Sequence, residues 1–233
     1  MSNKRASQDR KARLAEIQQQ QKAKERKVVA GIIVGCVVLL GALGGVVAYA
    51  VGDAKSKQLP SLGVSVAAAK CEPVTTDTGG GQGEHVGPGT SKPDETSVKY
   101  DTVPPSHGAH FASPDVSGRS FYTAEDRPVL EALVHNLEHG YTILWYDGSK
   151  VKDTALLKDV AEQADKLPES SGKFKVVEWD PSRGTFPAGT PYALAHWAKD
   201  AGHRQLCGDL SGQAVIDFVK KYPASNTQEP GAA

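Results

Sequence analysis

The chain has 233 residues, and its 27 Lys plus Arg are balanced by 27 Asp plus Glu. The balance hides a gradient: residues 1–27 carry nine basic and three acidic side chains, residues 28–51 carry neither, and residues 52–233 carry 18 basic and 24 acidic ones. A basic head, an uncharged bar and an acidic body exclude the layout of a plain cytosolic enzyme, and a body that repels phosphates excludes a nucleic-acid partner.

In chain order, residues 7–27 are rich in Gln, Lys, Arg and Ala and read as a solvated helix drawn to anionic head groups. Residues 28–51 follow as 24 uncharged positions. At 1.5 Å per residue they reach about 36 Å, enough for a hydrocarbon core of about 30 Å. The sequence therefore predicts one transmembrane helix. Lys22, Lys24, Arg26 and Lys27 hold its start on the cytoplasmic side, which makes 1–27 a cytoplasmic segment. The expected location is the cell membrane, single-pass, with everything after residue 51 outside the cytoplasm. Ala48-Tyr49-Ala50 resembles a cleavage site, but the apolar run before it exceeds the 7–15 residues of a signal core. Gly31/Gly35 and Gly41/Gly45 have the spacing of helix-pairing motifs and are also ordinary filler in such helices.

Residues 52–83 read as a linker, turn-rich from Thr75 to Gly83. The expected folded body is 84–222, and 223–233 reads as a disordered tail. Residues 84–127 are rich in Pro, Gly and Ser, so long loops with short strands are expected there. Residues 141–146 form a β-prone run closed by the turn Asp147-Gly148. Asp153 caps a helix with apolar positions at Leu156, Leu157, Val160, Ala164 and Leu167, ended by Pro168 and Gly172. Residues 174–179 and 192–197 read as further strands, and Ser211 caps a last helix carrying Val215, Ile216, Val219 and Tyr222. The order β-α-β-β-α predicts an α+β or α/β domain, a mixed sheet with helices packed on it behind a loop-rich first half.

There are three cysteines. Cys36 falls in the expected membrane helix, which leaves Cys71 and Cys207 as a pair in a compartment that oxidises such pairs. A bridge across so long a loop is worth on the order of 4–5 kcal/mol in chain-entropy models. Two free thiols are the alternative.

All seven histidines lie in 85–203, and five of them, His85, His107, His110, His135 and His139, fall between residues 85 and 139. Imidazole is the commonest ligand for the later first-row metals. His135 and His139 are four apart, so one helix face can present both, with Leu130, Leu133 and Leu137 as its apolar stripe and Gly140 as its stop. Glu138 can serve as ligand, as partner to a ligating imidazole, or as a base. The only Met is Met1 and the outer cysteines are expected to be bridged, so the remaining donors are imidazole and carboxylate, suited to Cu(II), Zn(II) or Fe(II). The competing reading makes these histidines hydrogen-bonded structural residues. The metal reading requires His85, His110, His135 and His139 to converge with lone pairs turned inward. Scattered rings, or rings engaged only with backbone carbonyls, would remove it. His135-x-x-Glu138-His139 also matches the inverted zinc-protease string, although Gly140 ends that helix at once.

Gly83-Glu84-His85-Val86, then Tyr100, then Pro104 to His110, then His135-Asn136-Leu137-Glu138-His139-Gly140 leading into Tyr146, together resemble a largely actinobacterial family of single-span membrane proteins known as domain of unknown function 3105. Where that family runs Ser-Gly, this chain has Ser106-His107-Gly108, which makes His107 the weakest of the proposed ligands. The resemblance implies an anchored extracytoplasmic domain, no established activity, and His85, His110, His135, Glu138 and His139 as the positions to watch. Three functions stand side by side: a divalent-metal module for copper or zinc, a non-catalytic partner or assembly factor of a membrane protein complex, and a zinc-dependent hydrolase.

Overall fold

The computed structural model describes Lys22, Lys24, residues 58–78 and residues 83–232. Contacts divide the chain into residues 1–54 and 55–233, and the account below concerns the second unit. The membrane helix expected over 28–51 lies outside the described residues. Among the described residues, no helix is long and apolar enough to cross a membrane.

The elements in chain order are α1 (Val66–Ala69), β1 (Thr75–Asp77), β2 (His85–Val86), β3 (His110–Phe111), β4 (Phe121–Tyr122), α2 (Leu130–Glu138), β5 (Thr142–Tyr146), α3 (Thr154–Asp165), β6 (Phe174–Glu178), β7 (Tyr192–Trp197), β8 (Gly202–Cys207) and α4 (Gly212–Lys221). Short 3-10 turns lie at Leu59–Ser61 and Pro181–Arg183. Six strands form one mixed sheet in the order β1-β8-β7-β5-β6-β4. β4, β6 and β5 run parallel, while β7, β8 and β1 each run antiparallel to the preceding neighbour. β2 and β3 make a separate parallel ladder. This is an α+β domain.

β5 shows why the sheet carries helices on both faces. Its side chains alternate, as any strand's must. Ile143 and Trp145 join Leu133, Val134 and Leu137 of α2 on one face. Leu144 and Tyr146 join Leu157 and Val160 of α3, and Val215 and Val219 of α4, on the other. A strand buried on both faces shows a continuous apolar run instead of polar alternation, which is what 141–146 displays. Each such side chain contributes about 1.5–3 kcal/mol of burial, and truncating the fully buried Leu157 to Ala would cost about 2–5 kcal/mol. Asp153 starts α3 by accepting the Leu156 N–H at 3.0 Å, and Ser211 starts α4 by accepting that of Ala214.

Two segments depart from the sequence expectation. The described part of the 52–83 linker belongs to the body: Leu59 and Leu62 sit in the core, β1 pairs along β8, and Cys71 is bridged to Cys207 at a sequence separation of 136. Pro60, Gly63 and Pro73 break its apolar period and hide this, because a disulfide, an edge ladder and a few buried side chains hold the segment instead of one long element. Residues 223–232, read from composition as a disordered tail, pack on the body as well. Ala224 donates its N–H to the Glu169 carbonyl at 2.8 Å, and the fully buried Thr227 donates its hydroxyl to the Glu138 carbonyl at 2.6 Å. The polar side chains that suggested disorder are bonded to backbone carbonyls. β8 also escaped the sequence reading, since His203, Arg204 and Gln205 break its β-prone pattern.

Candidate metal centre

Two elements bring the donors together. The β2–β3 ladder pairs His85 directly with His110, so their side chains stand next to each other on one face. α2 supplies His135 and Glu138, three residues apart on a helix buried along its whole length. One donor atom from each of His85, His110, His135 and Glu138 lies within 4.8 Å of all the others. Ligands around a tetrahedral ion with bonds of about 2.0–2.1 Å stand about 3.4 Å apart, so these atoms need to draw in only slightly.

The hydrogen bonds around the group fix which atoms face inward. His110 Nδ1 lies 2.8 Å from the Gly108 carbonyl, and His135 Nδ1 lies 2.6 Å from the Phe111 carbonyl. A carbonyl only accepts, so each Nδ1 carries the hydrogen and, in the neutral ring, each Nε2 keeps a lone pair. Both rings thus touch the backbone through Nδ1; His110 leaves Nε2 for the centre, while His135 Nε2 also meets His139 Nε2 at 2.9 Å, a contact that a metal bond at that lone pair would replace. Carbonyl-anchored imidazole is the usual support of a metal-ligating histidine. Glu138 is held the same way: Oε1 accepts the Gly83 N–H at 2.9 Å, and Oε2 turns inward, 2.9 Å from His110 Nε2 and 3.9 Å from His85 Nε2. His110 Nε2 is buried and has no hydrogen-bond partner. A lone pair facing a carboxylate oxygen at that distance is repulsive unless a cation or proton stands between them. Gly83 is required for this approach, because a Cβ there would lie 2.3 Å from His110 Cε1.

Electrostatics favour the ligating forms of His135 and Glu138. Burial pushes His135 down to about 4; the Phe111 carbonyl opposes the shift, and the neighbouring imidazoles reinforce it. Burial works to raise Glu138, but His110, the Gly83 N–H and His135 together bring it below the ordinary carboxylate value. A neutral imidazole and an ionised carboxylate are the forms that bind metal.

His139 stands beside this group and not within it. Its Nε2 is 2.9 Å from His135 Nε2 and 3.3 Å from Glu229 Oε2. The zinc-protease string would need His135 and His139 as the ligand pair with Glu138 set apart, whereas here Glu138 is inside the group. His107 lies elsewhere, its ring against Trp197 and its Nδ1 3.3 Å from the Ser106 hydroxyl, which in turn donates to Asp77. His196 and His203 are structural: His196 bonds Thr142 and the Asn226 carbonyl, and His203 stacks on Tyr222. Sequence reasoning missed the supporting shell. The Gly108 and Phe111 carbonyls and the Gly83 N–H carry no side-chain signal, and only the small residue at 83 hints at its role.

Residues 91–233 match the model of a family described as protein of unknown function (DUF3105), more than half of the chain, and the chain belongs to that family. His85 lies just ahead of the matched residues. No curated protein and no solved structure matches the chain. The protein is thus a DUF3105 domain with a His/Glu cluster that could bind metal.

Proposed function

We propose that this family member holds one divalent ion, copper or zinc, through His85, His110, His135 and Glu138, on the outer side of a membrane that it crosses once at residues 28–51. The observation that carries the metal reading is His110, anchored by Nδ1 to a carbonyl with its buried Nε2 2.9 Å from the anchored, buried Glu138 carboxylate, and with donors of His85 and His135 within 4.8 Å. Three imidazoles and one carboxylate suit Zn(II) and Cu(II), and the outer cysteines are spent in a disulfide. The location is supported by 24 uncharged residues behind a basic head, and by the same disulfide, which fits an oxidising compartment.

The test is elemental analysis of the full chain, purified in mild detergent without a polyhistidine tag. About one ion per chain is expected in the unaltered protein, and no stoichiometric ion in His110→Ala or His135→Ala. A folded, ion-free protein would overturn the metal reading and leave the complex-partner reading in its place.

A further inference from the structure

The four donors are not equivalent. His110, His135 and Glu138 have side chains at most 5% exposed, and each is fixed by a hydrogen bond from its remaining polar atom to the backbone. The His85 side chain is 44% exposed. Among the described residues its ring makes no hydrogen bond; it has only the 3.9 Å approach to Glu138, a stack on His135 at 5.1 Å and an edge contact with His110 at 4.9 Å. It rides on a two-residue strand whose only partner is β3. Imidazoles without an anchored second nitrogen pay more rotational freedom to ligate and leave more easily.

We infer that His85 is the exchange ligand of the centre: the ion enters and leaves at this position, where an imidazole from outside the chain replaces the His85 ring. The inference rests on the metal reading above. In the exchange the bond from the ion to His85 Nε2 breaks and a bond to the incoming nitrogen forms. No electron moves, and no proton moves when both rings are neutral. The incoming group is an imidazole for two reasons on the molecule. The place that His85 vacates is a flat slot bordered by the faces and edges of His135 and His110. A neutral donor also keeps the net charge of the site unchanged during the exchange, since it replaces a neutral ring. The three buried donors retain the ion meanwhile, so the transfer partner is a protein presenting a surface histidine.

The experiment uses the full chain in detergent loaded with Cu(II), with free imidazole as the incoming donor and a strong chelator to read release. Imidazole added to the unaltered chain should speed release to the chelator while leaving the copper d–d band in place, because one imidazole replaces another. His85→Ala should still take up one ion per chain, release it at least about tenfold faster, and regain the unaltered spectrum on adding imidazole. His135→Ala should hold no ion. An unaltered chain that takes up copper while His85→Ala is as ion-free as His135→Ala overturns this inference alone, and so does a release rate unchanged by His85→Ala. An unaltered chain that takes up no copper overturns the metal reading itself.

Discussion

At the carboxyl ends of β5 and β6, a cavity of about 1030 Å3 is walled by Asp147, Lys150, Glu178, Trp179 and Phe186. At the amino ends of the same strands, Lys173 donates to the His139 carbonyl beneath the His/Glu group. Carboxyl ends of parallel strands are the usual place for a ligand, and a cavity of that size is the usual first guess. Yet three of the charged side chains that line it are engaged within the protein. Glu178 accepts from the Ala124 N–H and the Tyr146 hydroxyl, Arg127 pairs with Asp180, and Asp147 accepts the Ser149 N–H. At the other end a buried imidazole nitrogen lacks a hydrogen-bond partner and faces a carboxylate. Unspent donor capacity, and not concavity, marks the site here.

The contrast can be broken most directly by matched isosteric changes at the two ends. Glu138→Gln should weaken metal binding by about 100-fold or more, since even outer partners of metal ligands are worth 10–100-fold. Glu178→Gln should leave it within about twofold, because that carboxylate touches no metal donor. Calorimetric titration with Zn(II) reads both, and equal losses would erase the distinction. Next in size, Gly83→Ala forces a Cβ into the His110 ring and should cost about 2 kcal/mol in denaturant stability, together with weaker metal uptake. An alanine tolerated without either effect would show that the ladder, and not Gly83, positions His110.

A third measurement separates a structural histidine from the ligating ones. Burial pushes His196 down to about 4; the Asn226 carbonyl opposes that shift and the neighbouring His203 adds to it. The unfolded chain titrates near 6.5, so between pH 6.5 and 4 the unfolded state binds the extra proton. Stability of the ion-free chain is therefore fully present above about pH 6.5 and falls by up to about 1.4 kcal/mol per pH unit below it from this residue. Urea midpoints at pH 7, 6 and 5 read the slope, and His196→Gln should reduce it, leaving the share of His135, which burial also pushes down to about 4. The smallest effect belongs to the C-terminal segment: Thr227→Val removes the hydroxyl bond to the Glu138 carbonyl and should cost about 1 kcal/mol. A loss of metal in that variant would bring residues 223–232 into the site's support.

The elements of the body were legible where period and caps agree. Asp153 with its Leu156, Leu157, Val160 and Ala164 spacing is α3, Ser211 starts α4, and the runs at 141–146 and 192–197 are β5 and β7. The segments that misled are those held by long-range bonds. Residues 59–77 and 223–232 have no sustained apolar period of their own, and they are ordered by a disulfide, an edge ladder, the buried Leu59 and Leu62, and carbonyl acceptors far away in the chain.

By itself the amino-acid order determined the uncharged stretch, the charge gradient, the cysteine pair and the helix that puts His135, Glu138 and His139 on one face, because each depends on composition or on a spacing of a few residues. Tertiary structure alone decided that Glu138 stands inside the group and His139 beside it, that His107 stays away, and that His85 is the exposed member. Those outcomes depend on how a two-strand ladder, formed by residues 85–86 and 110–111 upstream of α2 in sequence, docks against it. Local periodicity carries no information about such docking, because it is fixed by side-chain packing and by backbone carbonyls that every residue possesses alike.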